Sequence, residues 1–504
     1  MMKLPIGIQS FEKIRKENYI YADKTEDIYK LINDYTYVFL SRPRRFGKSL
    51  LLDTIKALFE AKKELFEGLW IYDKWNFEEY PVIKISWDGK LRTIKDLEDK
   101  LNKVLKDNQK RLNIECESKN PFIRFEELLQ KAYEKYQKRV VVLIDEYDRP
   151  ILEVIEDINQ AKEHREFLKG LYSSIKGLDE YIKFAFLTGV SKFAKANIFS
   201  GLNMLSDVSL LPKYGNICGI TEKELVDNFE EYLVDVDLKE IKEWYNGYYF
   251  LKDKIFNPFD ILQYLQTKEF RNYWFNSGNP SFLIKLLKKN NYFLPNLSNL
   301  KVDEKLLDVF DIERIDIEVL LYQAGYLTIK DVVKKRRRIE YNLYFPNYEV
   351  KNSFCDYLID YMLEDKDRVE KEDELYDALI EADVEKFIEV LRKVFASIPY
   401  NNLTYIKDYE GFYASVVYVY LQALGFDIVG EDVTNKGRID LSVILEDKVY
   451  IIEFKVSDKK CDAPKQIKEK KYYEKYSDKK VIMVGICFSK KEKNIVSYEW
   501  EDLV

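Results

Sequence analysis

The chain has 504 residues, with 81 Lys and Arg against 88 Asp and Glu, a formal net charge of −7. Its one histidine, His164, excludes zinc centres built on several imidazoles and leaves catalysis to carboxylates, lysine and hard metal ions. Five scattered cysteines with no C-x-x-C pair, an N-terminus without an apolar leader, and a longest uncharged apolar run of only about 16 residues (Gly411 to Phe426) point to a thiol-containing cytoplasmic protein without a membrane span.

In chain order, the first third alternates apolar strand-like runs with amphipathic helices: Tyr35 to Leu40, a helix from Lys48, Pro81 to Ser86, Phe122 to Tyr136, Val140 to Ile144, and Tyr181 to Thr188. That alternation predicts a parallel sheet covered on both faces. The first strand runs into Arg42-Pro43-Arg44-Arg45-Phe46-Gly47-Lys48-Ser49, and Leu50 continues an apolar-periodic helix to Phe59. Strand, Gly-Lys-Ser loop and helix are the setting of a phosphate-binding loop, in which helix N-terminal amides face an anion. Gly47 would let the backbone approach ATP, Lys48 would reach the β- and γ-phosphates, and Ser49 would ligate Mg2+. Arg44 and Arg45 are either phosphate contacts or a solvated loop. The first glycine of the usual loop is replaced by Arg42.

Downstream, the apolar strand Val140 to Ile144 ends in Asp145-Glu146. Two carboxylates at the C-terminal edge of a parallel sheet suit an Mg2+ ligand, Asp145, and a residue that polarises attacking water, Glu146. Thr188, ending the next strand, is either a γ-phosphate sensor or a plain strand-to-turn threonine. His164, in Lys162-Glu163-His164-Arg165, is expected at the surface. From Thr221 the pattern is mostly helical. Leu320 to Pro346 reads as short strands around Lys334-Lys335-Arg336-Arg337-Arg338, a tip that is either a wing on a DNA backbone or a hairpin end kept soluble by charge.

The last block begins near Lys371. Gly411 to Phe426 reads as a buried helix, and Gly437 to Lys455 as a hairpin turning at Glu446-Asp447. That turn pairs Leu445 with Lys448 and Asp440 with Glu453, so the two acids share a face, and Lys455 joins them by period two. Paired carboxylates repel unless a cation or proton intervenes, and Mg2+ or Mn2+ beside Lys455 answers that need. Residues 451 to 480 hold ten Lys and six acids, and Lys465, Lys468, Lys471 and Lys475 recur at helical spacing. Such a face is either a nucleic-acid contact or a solvated helix.

Asp440 with Glu453-Phe454-Lys455 is a D…E-x-K pattern. With Glu410-Gly411-Phe412-Tyr413, Gly437-Arg438-Ile439-Asp440-Leu441 and Gln466-Ile467-Lys468-Glu469-Lys470-Lys471-Tyr472, it resembles the PD-(D/E)XK nuclease superfamily. The version it resembles follows an AAA-ATPase-like domain, and the N-terminal Pro5-Ile6-Gly7-Ile8-Gln9, Tyr21-Ala22-Asp23-Lys24-Thr25, the Arg42 loop and Leu143-Ile144-Asp145-Glu146-Tyr147-Asp148 are similar to that domain. The resemblance implies that Asp440 and Glu453 are metal ligands and Lys455 the catalytic lysine. It makes Glu410 a further acid, Gln466 an accessory glutamine, and Arg42 the family's own loop variant. It also leads one to expect a histidine after Tyr413, where this chain has Ala414.

The expected fold is α/β: an ASCE/AAA-like P-loop parallel-sheet domain at 1–220, a helical and winged-helix-like middle at 221–370, and a restriction-endonuclease-like domain at 371–504. The expected function is ATP hydrolysis coupled to Mg-dependent phosphodiester cleavage of nucleic acid, DNA in the first place. The alternative is a nucleotide-gated switch or scaffold that keeps the nuclease fold for binding only. Homo-oligomerisation stays open.

Overall fold

The computed structural model describes residues 2–192, 204–276, 281–290, 292–298, 300–303, 313, 315–336, 338–362, 367–398, 409–434, 437–456 and 470–503. The chain forms two compact units, residues 1–274 with 302–340, and residues 275–301 with 341–504. The middle of the chain thus divides between the two, because the segment 275–301 packs with later sequence.

The first unit is organised by five strands: β1 (Tyr37–Ser41), β2 (Val82–Ser86), β3 (Val140–Asp145), β4 (Ile182–Gly189) and β5 (Ser206–Asp207). They hydrogen-bond in the order β2-β3-β4-β1-β5, and all four neighbouring pairs are parallel. β1 and β3 are buried along their whole length, which is why they read as continuous apolar runs rather than alternating ones. The helices Lys48–Phe59, Ile94–Leu112, Pro121–Tyr136 and Ile158–Gly177 accompany the sheet. Their starts are written in the sequence: Thr93 and Asp96 form a capping box, Asn120 caps ahead of Pro121, and the Asp157 side chain accepts from Asn159 and Gln160 amides.

The register decides where chemistry can gather. Ser86 lies opposite Asp145, Ile144 opposite Leu187, and Leu40 opposite Thr188. The ends of β1, β3 and β4 therefore finish level at one sheet edge, with β4 inserted between the phosphate-loop strand and the acidic strand.

In the second unit, strands Asp427–Val433, Arg438–Ile444, Lys448–Val456, Lys480–Phe488 and Ile495–Leu503 form a mixed sheet in chain order. All neighbours are antiparallel except Lys448–Val456 with Lys480–Phe488, which are parallel. The helix Tyr409–Ala423 is apolar nearly all round, and Tyr413, Val416, Val417, Val419, Tyr420 and Leu421 are fully buried. No helix among the described residues is long and apolar enough to cross a membrane.

Two expectations change. His164 is 1 % exposed, and its Nδ1 lies 2.8 Å from the Pro150 carbonyl oxygen. It occupies the inward face of helix Ile158–Gly177 while Glu163 takes the exposed one, so the charged neighbours described the other sides of the helix. Cys116, Cys218 and Cys355 are free thiols, but Cys487 is engaged in a disulfide, which spacing along the chain could not reveal.

Candidate functional site

The phosphate loop leaves β1 through Arg42, which is 1 % exposed. Its Nη1 donates to the carbonyls of Ser41 (2.9 Å) and Ser209 (2.8 Å), and its Nη2 to those of Tyr214 (3.2 Å) and Gly215 (3.4 Å). The guanidinium also sits 3.9 Å from the Phe250 ring centroid. A planar fork serving four carbonyls is work that lysine cannot reproduce. Arg42 anchors the loop from beneath, in the slot where a glycine would merely have permitted the turn. Arg42→Ala is expected to leave these buried carbonyls unsatisfied and to lower stability by about 3 kcal/mol or more, read as a drop in the thermal or urea midpoint. An unchanged midpoint would show that the anchor is dispensable.

Beyond Arg42, the Arg44 carbonyl accepts from Trp274 Nε1 at 3.1 Å, and the exposed Arg45 lies over the Phe259 ring. Phe46 is buried edge-on against Tyr248. Gly47 has φ +87°, a conformation that only glycine takes cheaply, and it caps the helix that Lys48 begins. Lys48 is buried and donates to the carbonyls of Arg42 and Pro43, each at 2.8 Å. Burial lowers its pKa, while Asp145, Asp148 and Glu146 act to keep it charged. Ser49 and Leu50 are half-buried at the start of the helix.

Across the sheet edge, Asp145 is buried and accepts from Thr188 Oγ1 at 2.9 Å. Glu146 has φ +55° and projects outward, where Arg149 Nη1 holds it at 2.6 Å. Asp148 is a residue to which sequence reasoning attached no role. It is 1 % exposed and accepts from the amides of Val190 (3.1 Å) and Ser191 (2.6 Å), locking the segment after β4 to the acidic turn. Burial pushes it up to about 6. Gly189 permits this closeness, since a Cβ there would meet Asp148 Oδ1 and Tyr147 at 2.5 Å. The only signal was a third acid two residues after Glu146.

In the second unit, the hairpin ladder pairs Leu441 with Ile452 and Ile444 with Val449. Regular pairing stops there, and Asp440 Oδ2 accepts the Phe454 amide at 2.7 Å. Asp440 and Glu453 share a side-chain hydrogen bond, and Glu453 is fully buried. Burial first, then the neighbouring Asp440 charge, pushes Glu453 up to about 9; burial likewise raises Asp440 to about 6. Lys455 Nζ lies 3.5 Å from Glu410 Oε1, in the first turn of helix Tyr409–Ala423. Glu431 also acts electrostatically on Asp440, a neighbour that the motif did not contain.

The structure therefore brings Arg42, Lys48, Asp145 and Thr188 to one site, and Glu410, Asp440, Glu453 and Lys455 to another. Gln466, Lys465 and Lys468 lie outside the described residues. Lys475 is paired with Asp432, a buried acid that also accepts from Ser442 Oγ (2.8 Å) and Tyr476 Oη. That lysine braces the short helix Tyr472–Tyr476 against the sheet. Among the described residues no group of three or more Asp, Glu, His or Cys side chains is placed to hold one metal ion. The donor set at the second site is thus two carboxylates, whose suppressed ionisation is the condition that a hard divalent cation relieves.

These two cores define a P-loop nucleotide-binding fold and a restriction-endonuclease-like fold in a single polypeptide. Residues 5–199 match a family model described as a predicted AAA-ATPase, and residues 408–498 match that of the PD-(D/E)XK nuclease superfamily. A protein of Azotobacter chroococcum mcd 1, named only as an uncharacterized protein in the vnfD 5' region, is 42% identical over 512 residues, covering 99% of each chain. The chain belongs to this family of AAA-ATPase-like proteins with a C-terminal PD-(D/E)XK nuclease superfamily domain.

Proposed function

We propose that the protein binds and hydrolyses ATP with Mg2+ at the first site and cleaves phosphodiester bonds of nucleic acid with Mg2+ or Mn2+ at the second. The observation that carries this reading is the convergence of Asp440, on strand Arg438–Ile444, with Glu453 and Lys455, on the neighbouring strand Lys448–Val456. In the N-terminal part, 1–220, the helix N-terminus at Lys48 and Ser49 receives phosphate, Asp145 and Ser49 supply oxygens to Mg2+, and Thr188 holds Asp145 in place. A helical, winged-helix-like region, 221–370, leads to the nuclease-like part, 371–504. There Asp440 and Glu453 supply carboxylate oxygens, and Glu410 restrains Lys455, whose ammonium orients and polarises a water. A bound divalent ion would stabilise negative charge on the scissile phosphate and the leaving oxygen.

The test is nicking of supercoiled plasmid DNA by the full chain, in Mg2+ or Mn2+ against EDTA, with and without ATP. Product that requires the metal supports the reading. Equal product in EDTA, or none under any condition, removes the nuclease half.

A second reading has its own support. Glu146 is held by Arg149 at 2.6 Å, and Ala414, where the resemblance called for histidine, is buried. Both fit a slow, gated switch whose nuclease fold is used for binding. ATP binding with no turnover and no cleavage would favour it.

A further inference from the structure

The strands Thr328–Lys335 and Arg338–Tyr344 are neighbours in a three-stranded sheet completed by Leu300–Asp303, and together they make a ribbon whose first strand is followed by Arg336. Near its base Thr328 and Ile329 are buried, whereas from Lys330 outward every described residue to Glu340 is exposed or half-buried. Exposure therefore begins two residues into the first strand of the ribbon. Five successive cations, Lys334 to Arg338, follow one another in the sequence of a chain whose net charge is −7. Lys334, Lys335, Arg336 and Arg338 are exposed, and Lys335 pairs with Glu340 at 2.7 Å.

Solubility alone does not account for this composition. One or two charges of either sign blunt a hairpin end, and acidic residues serve solubility better than basic ones. The turn makes the point more sharply. Arg336 has φ +52°, the left-handed conformation in which Asn or Gly is favoured in two-residue turns. A cationic residue thus stands where turn chemistry prefers a small one.

We infer that this ribbon is a docking arm for the sugar–phosphate backbone of duplex nucleic acid, with Lys334, Arg336 and Arg338 as its phosphate contacts. Residues 330–340 contain no aromatic side chain, so the stacking that single-strand binders use is missing from the arm. A run of exposed cations with no ring to stack on suits instead the dense, continuous phosphate charge of a duplex. The inference deepens the proposed function by naming how the nucleic acid is held, and rests on that reading. It assigns no sequence preference, because backbone contacts carry none.

The experiment is fluorescence anisotropy of a labelled DNA duplex with the full chain in EDTA, so that no cleavage occurs, over a series of salt concentrations. The triple variant Lys334→Gln, Arg336→Gln, Arg338→Gln leaves the Lys335–Glu340 pair in place. It is expected to bind at least about tenfold more weakly and to reduce the slope of log K against log salt by about 2.7, near 0.9 per phosphate contact. A charge-preserving variant, Arg336→Lys with Arg338→Lys, keeps the slope, which separates charge from folding. A triple variant with the wild-type slope overturns the arm while leaving the nuclease reading untouched. Wild-type protein that binds no duplex even at low salt overturns both. Binding of phosphatidylserine vesicles that is lost in the triple variant, with duplex binding unaltered, reassigns the arm to a membrane surface and overturns the inference.

Discussion

Lys48→Ala is expected to weaken MgATP binding by at least about a hundredfold, as measured by calorimetric titration, because charge-assisted contacts to phosphate are among the strongest that a side chain makes. The structure supplies the reason for so large an effect. A buried ammonium is costly, and here the Arg42 and Pro43 carbonyls accept its hydrogen bonds while Asp145, Asp148 and Glu146 favour its charged form against the burial that opposes it. Phosphate oxygens would replace those carbonyls as acceptors, so nucleotide binding exchanges one set of hydrogen bonds for a stronger set. Lys48→Gln, which retains a donor to the loop carbonyls but no charge, separates loop shape from electrostatics and should bind almost as poorly as the alanine variant. Wild-type affinity in both variants would falsify the assignment of the loop.

The second large effect is expected at the carboxylate pair. Glu453→Ala should lower metal-dependent cleavage by at least about a thousandfold, since one of only two carboxylate donors disappears. Plasmid nicking with Mn2+ measures it, and equal product from wild type and variant would remove the site. The same pair predicts a pH dependence. Burial raises Asp440 to about 6, and burial with the neighbouring Asp440 charge raises Glu453 to about 9, so a metal ion must displace their protons. Between those values one proton leaves per ion, and Mn2+ affinity should rise about tenfold per pH unit; below about 6 the dependence steepens as the second proton is displaced. Titration in weakly buffered solution would register the released protons. In the metal-free protein the sign is opposite. A folded pKa raised above its unfolded value contributes stability that is complete below the unfolded value, near 4.5 for Glu453, and is lost as pH climbs through about 9. The metal-free protein should therefore soften toward alkaline pH, and Mn2+ should restore its melting temperature. Flat metal affinity between pH 6 and 9 would be incompatible with the pair as described.

What could be read in the residues had a common property: it depended on short-range periodicity. β1 and β3 were legible because strands buried on both faces are apolar at every position, and the helix after Gly47 because Gly-Lys-Ser and its apolar spacing lie within a dozen residues. The hairpin at Glu446-Asp447 was legible because a turn fixes the pairing around it. The misreading of His164 had the same origin in reverse, since three flanking charges describe the exposed faces of a helix and say nothing of the fourth. Lys475 looked like a nucleic-acid contact for as long as Asp432, 43 positions earlier, was not known to face it.

The order of amino acids by itself determined the two folds, their sequence along the chain, and the acids and lysines on which any chemistry must draw. Three-dimensional packing alone decided that Arg42 is a buried anchor, that Asp148 ties the end of β4 to the acidic turn, that Arg149 restrains Glu146, and that segment 275–301 joins the later unit. The reason is physical. Periodicity reports which face of an element avoids water, whereas hydrogen bonds between buried groups depend on which distant carbonyl or amide arrives at that face, and only the closed chain sets that.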